Sequence, residues 1–229
     1  SRTPWRGYAS LSAGYDSNVL LESDSELQKV SQQGDTFSEL LVAATLQARG
    51  HARDGLQIQG SAYSLRFQDL SGYRQSYFSL GAELDRSLGD WATDWGLTAS
   101  AVTLAGELFE SLYTLEAEGQ RPLTRHWELE LGQQATRMVG SSDYDYITGY
   151  RLRTELVGRY HGAGVSGQLA YRFEHNHRND LQQDGNFYSY SPQRHELEAK
   201  ASLVAGAGWQ VALEAGYRYS RYLDAHRIG

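Results

Sequence analysis

The sequence predicts an all-β chain: a transmembrane, antiparallel, up-and-down β-barrel of about twelve strands, with residues 1–229 forming one domain. Three observations point there. Hydropathy alternates with a period of two along segment after segment, short and long links between the segments alternate, and the tryptophans gather at one end of them. A mean hydropathy of −0.56 does not oppose this reading. A membrane barrel shows lipid only at every second residue, so its average looks like that of a water-soluble protein.

The first segment opens at Trp5, where the odd positions Trp5, Gly7, Ala9, Leu11, Ala13 and Tyr15 oppose Arg6, Tyr8, Ser10 and Ser12. Alternation of that kind is a strand with one apolar and one polar face. It recurs at Leu40, Val42, Ala44 and Leu46 against Glu39, Thr45 and Gln47, and at Phe78, Leu80, Ala82 and Leu84 against Tyr77, Ser79, Glu83 and Asp85. Later Val165, Gly167, Leu169, Tyr171 and Phe173 oppose Ser166, Gln168, Arg172 and Glu174, and Leu197, Ala199, Ala201 and Leu203 oppose Glu196, Glu198 and Lys200. Eleven such segments are visible, starting near residues 5, 36, 55, 74, 91, 108, 127, 146, 163, 193 and 209. Each is long enough for a tilted membrane strand, which needs about 9–11 residues. In the third, Leu56 and Ile58 sit on one face while Tyr63, Leu65 and Phe67 sit on the other, which predicts a bulge. Single-chain bacterial barrels have even strand counts and the eleventh segment runs upward, so a further closing strand is expected. Twelve is the minimal completion, and fourteen fits as well.

The links after the second, fourth, sixth, eighth and tenth segments are short: Gly50–Asp54, Leu88–Asp90, Pro122–His126, His161–Gly162 and Gly206–Gly208. Those after the first and ninth, 16–35 and 175–192, are long and polar. Short periplasmic turns against longer external loops are the layout of an outer-membrane barrel with its N-terminus in the periplasm. In that orientation Trp5, Trp91, Trp95, Trp127 and Trp209 fall outward at the periplasmic rim. Tyr15, Phe78, Phe109, Tyr150, Tyr171, Phe173, Tyr217 and Tyr219 fall outward at the other rim. Amphipathic rings favour the headgroup level, so two aromatic girdles are expected, with outer-membrane lipid as the partner.

The other face is dense in charge. Glu110, Glu116, Glu118, Glu128 and Glu130 form an acidic wall on two neighbouring segments; the next supplies Arg151, Arg153, Glu155 and Arg159. Arg172, Glu198, Lys200 and Arg218 line the same interior further on. Unpaired ions in a dry core would each cost several kcal/mol. The bore is therefore water-filled, cross-linked by ion pairs, or both, and either transport selectivity or plain bracing accounts for its charge.

Composition removes other classes. With no Cys there is no disulfide scaffold or Cys-based metal site. A formal charge of −7 disfavours nucleic acid as a partner. His175, His177, Asp180 and Asp184 in one loop, and Asp16, Glu22, Asp24 and Glu26 in another, are solvated clusters without a closed ligand set. His195 beside Ser191 is the one start toward a hydrolase, with no motif around it. No enzyme activity and no cofactor are expected.

The run GYDSNV, Gly14 to Val19, closing a first strand that begins with Trp5, resembles the opening of the barrel domain in surface lipoprotein assembly modifier proteins and related barrels that carry tetratricopeptide repeats. The resemblance implies export or assembly at the outer membrane, with a periplasmic repeat domain or secretion-complex subunits as partners. Asp16, Ser17 and Asn18 are also an ordinary strand-ending cluster. The residues leave open a translocation conduit, a structural anchor with a plugged lumen, and an outer-membrane lipid hydrolase.

Overall fold

The computed structural model describes residues 4–17, 34–51, 53–183, 185–205 and 208–222. They form β1 (Trp5–Asp16), β2 (Asp35–His51), β3 (Asp54–Phe67), β4 (Gln75–Leu88), β5 (Trp91–Leu104), β6 (Glu107–Pro122), β7 (Trp127–Gly140), β8 (Gly149–Gly162), β9 (Val165–Arg178), β10 (Leu181–Gln183), β11 (Asn186–Tyr188), β12 (Pro192–Ala205) and β13 (Trp209–Tyr222). Eleven of them make one sheet in the order β1-β2-β3-β4-β5-β6-β7-β8-β9-β12-β13, and β10 pairs only with β11. Every sheet strand runs antiparallel to its neighbour in the chain, the meander of an up-and-down barrel. Among the described residues β1 and β13 each have one partner strand. With ten antiparallel steps between them, these two edges run in the same direction.

The links sort by end. At one end, called here the turn end, Gly89 and Asp90 join β4 to β5, and Ala163 and Gly164 join β8 to β9. The latter turn comes two residues later than the sequence predicts, because β8 continues through His161 and Gly162. At the other, loop end, short 3₁₀ segments at Ser71–Tyr73 and Ser142–Ile147 and the β10–β11 hairpin occupy the connections. The β5–β6 link there is a tight exception, since Ala105 (φ 54°) and Gly106 (φ 91°) both take left-handed backbone. A two-residue hairpin whose twist matches its strands requires this.

Three local expectations are corrected. The predicted bulge in the third segment is absent: β3 pairs with β4 without interruption from Gly55 to Leu65. Tyr63, Leu65 and Phe67 face the polar side because that side is itself aromatic there. Phe37 meets Phe67 edge-on at 6.2 Å, and Tyr77 lies opposite Tyr63. The register shifts lie instead between Gln47 and Arg49 of β2 and at Val102/Thr103 of β5. The second shift takes Phe109 out of the regular alternation, and its ring packs against Tyr144 at 4.6 Å. Finally, β9 extends to Arg178, so His175 and His177 belong to a strand and the long loop begins after them.

Exposure is inverted relative to a water-soluble sheet. On interior strands the apolar face leaves Leu80 64%, Leu97 60% and Leu169 55% exposed, while Val157, Thr136 and Asn176 on the other face are almost fully buried. A sheet curled with its polar face inward and its apolar face toward lipid has this distribution.

Candidate functional site

Residues paired directly across an antiparallel ladder share a face, so the register fixes the faces. Glu110, Glu116 and Glu118 of β6 share theirs with Glu128 and Glu130 of β7. Those in turn share it with Arg151, Arg153, Glu155 and Arg159 of β8, and with Arg172 of β9. Glu198 and Lys200 of β12 and Arg218 of β13 complete the same face. The opposite, apolar face carries Trp5, Trp91, Trp95, Trp127 and Trp209, all toward the turn end. Tyr15, Tyr150, Tyr171, Phe173, Tyr217 and Tyr219 lie on it toward the loop end. Tyr160, a ring the sequence did not single out, packs at a tilt against Trp127 with ring centres 5.1 Å apart.

The charged face is cross-linked along its wall. Arg159 bonds Glu128 at 3.2 Å and also holds Glu130, so two members of the expected acidic wall are neutralised from the next strand. Arg172 reaches Glu155 at 2.7 Å on one side and Glu196 at 3.0 Å on the other, and Arg218 meets Glu196 at 2.8 Å. Lys200 lies 2.5 Å from Glu198 and 3.6 Å from Glu214. Among the described residues every such bridge on this face joins side chains on the same or neighbouring strands; none crosses to a strand further off.

Two groupings on this face become visible only through the register. At the turn end Asp85 lies opposite Asp94, and with Glu83 their carboxylate oxygens come within 4.8 Å of one another. Gln57 donates to Asp85 at 3.3 Å. At the loop end Arg151, Arg153, Arg178 and Arg194 gather on β8, β9 and β12 around Glu174. Arg178 was not anticipated from the sequence, which placed it beyond the end of its strand.

The candidates for catalysis and metal binding separate. Ser191 Oγ donates to Asp180 at 3.2 Å and accepts from the Arg178 amide at 2.9 Å. His195 instead has its Nδ1 2.8 Å from the Tyr171 hydroxyl on the apolar face. His177 stacks flat on Tyr150 at 5.2 Å, and His175 lies 3.3 Å from the Gln193 amide. Asp180 is engaged by the Tyr190 amide and Ser191, so it does not converge with these imidazoles. Glu22, Asp24, Glu26 and Asp184 lie outside the described residues, as do Asn18 and Val19 of the GYDSNV run.

No protein family's sequence model matches the chain, and no curated protein matches it either. Among solved structures it is similar to a KdgM porin, and to a KdgM porin in complex with disordered oligogalacturonate. Each shares 12% sequence identity with a TM-score of 0.38, over 94% of this chain and 95% of that one.

Proposed function

We propose that the chain is a non-enzymatic outer-membrane barrel whose charged face lines a water-filled conduit, with the turn end in the periplasm and the loop end outside. One observation supports an open bore over a plugged anchor: the ion pairs brace the wall between adjacent strands instead of bridging across it. Charged groups satisfied along the wall leave the axis to water, whereas a plug needs partners from non-neighbouring strands. The aromatic residues on the apolar face form girdles at the two headgroup levels in this reading. Purified chain in a planar bilayer tests it. A steady single-channel current supports the conduit, and folded protein without current refutes it.

An export or assembly role is the finer form of this reading, with a periplasmic tetratricopeptide-repeat domain or secretion-complex subunit as partner. Its support is the Gly14–Val19 resemblance. The first residue of that run also has a packing reason to be glycine, since a Cβ at Gly14 would lie 2.8 Å from the Phe37 ring. Cross-linking in outer-membrane preparations tests the partner: capture of a repeat protein supports export, and capture of none leaves a plain conduit.

A further inference from the structure

The four loop-end arginines are under-satisfied in a way that Arg159, Arg172, Lys200 and Arg218 on the same face are not. Arg159, Arg172, Lys200 and Arg218 each have a carboxylate within 3.2 Å. Of the loop-end group, only Arg194 has an ion pair within 4 Å among the described residues, to Glu174 at 3.6 Å. The Nε atoms of Arg151, Arg153, Arg178 and Arg194 are all buried from water without a hydrogen-bond acceptor, and the one other such atom, in Arg121, lies on the far side of the sheet. Guanidinium groups without a carboxylate partner keep their charge and their outward-facing N–H groups for an acceptor supplied from outside.

Their placement makes them a single patch. Arg153 lies across from Glu174, which lies across from Arg194, so three strands place these charges side by side. Arg151 is one inward position further toward the loop end on β8, across from Asn176, and Arg178 follows at the tip of β9, across from Gly149. Neighbouring strands are about 4.8 Å apart and same-face residues about 7 Å apart, so Arg151, Arg153 and Arg194 are within side-chain reach of one small ligand, and Arg178, about 14 Å further along than Arg153, meets it from the loop end. Two carboxylates share the patch. Glu174 accepts from the Asn176 amide at 2.8 Å and pairs with Arg194. Glu110 of β6 interacts electrostatically with Arg178 and Arg151. Within the sheet four cations face these two carboxylates, while Asp143 and Asp145 of the Ser142–Ile147 turn and Asp180 lie just beyond, the last two engaged by Asn179 and Ser191. The 3₁₀ turn Ser142–Ile147 closes the patch toward the loop end: a Cβ on Gly140, at the end of β7 on this face, would strike the Tyr144 carbonyl and Ile147.

We propose that Arg151, Arg153, Arg178 and Arg194 form an oxyanion-binding station at the loop end of the bore, taking a solute that presents carboxylate or phosphate groups. Planar guanidinium forks match both groups bidentately, which a cluster of lysines would not do. This rests on the charged face being the lining of a conduit, but its test does not need a current.

Calorimetric titration of the detergent-folded chain with inorganic phosphate and, separately, citrate measures the site directly. Half-block of the single-channel current by the same anions, added from the loop side, measures it in the bore. Saturable binding of either anion, weakened at least tenfold in Arg151→Gln/Arg153→Gln and unchanged in Arg121→Gln, supports the station. No saturable binding of either, or equal binding by all three proteins, overturns it. Heat-modifiable gel mobility verifies folding of each variant, and Arg178→Gln alone is read by the same criteria if the double variant does not fold. A silent barrel that still binds refutes the conduit and keeps the site; a conducting one that binds nothing does the reverse.

Discussion

Leu169→Arg is the sharpest test of which face meets lipid. Leu169 is 55% exposed on the apolar side of β9, flanked in register by Gly158 and Ala199, which offer a long side chain no polar partner. The middle of β9 falls between Tyr171 and Arg172. With a rise of about 3.4 Å per residue and a tilt of about 40°, Leu169 sits about 6 Å from the midplane of an apolar band about 25 Å tall. Arginine costs about 2–4 kcal/mol at the midplane and about 0–1 near the interfaces, so about 2 kcal/mol is expected at this depth. The paired control is Gln168→Glu, one residue away on the charged face, where the new carboxylate would lie between Arg159 and Lys200. That change is expected to stay within about 0.5 kcal/mol. Urea titration of folding into phospholipid vesicles measures both. Equal destabilisation by the two, or a larger effect at 168, would refute the assignment of faces.

Other expectations follow from single contacts. Gln133 and Thr154 hydrogen-bond each other reciprocally on the apolar face, at 3.0 and 3.1 Å. Gln133→Leu alone should cost about 1–3 kcal/mol by stranding the threonine hydroxyl, while Gln133→Leu with Thr154→Val should be close to neutral in the same vesicle assay. Gly14→Leu forces side-chain atoms into the Phe37 ring and should destabilise by about 1–3 kcal/mol, read from the urea midpoint. At the loop-end tip of β2, burial works against the charge of Asp35, but the Leu70 and Asp69 amides, with Thr36 and Gln68, outweigh it and hold the carboxyl below its usual range. A depressed folded value means that this tether is present above the ordinary carboxylate range and lost as pH falls through the lowered value. The protection factors of the Asp69 and Leu70 amides should therefore fall only in strong acid, and at neutral pH in Asp35→Asn.

The fold was legible because alternation survives wherever one face is apolar and the other polar or charged. Leu80, Leu97 and Leu169 opposite Ser79, Thr98 and Gln168 need no tertiary information. Alternation misled where both faces are apolar, as at Tyr63, Leu65 and Phe67: their partners Phe37 and Tyr77 lie on other strands, so the local sequence could not show why rings point inward. The strand end at Arg178 was hidden because His175 and His177 read as loop residues, although on the apolar face they pack with Tyr150. The charged face could be named residue by residue, but its pairing could not. Which arginine meets a glutamate is set by register and side-chain reach: Arg159 bonds Glu128, while Arg151 and Arg153 make no ion pair within 4 Å among the described residues.

The bridges that run only between adjacent strands also bear on how such a wall behaves under traffic. They tie the β7–β8, β8–β9, β9–β12 and β12–β13 seams from within the wall itself. In the conduit proposed above, a solute moving along the axis would displace water rather than break one of these braces.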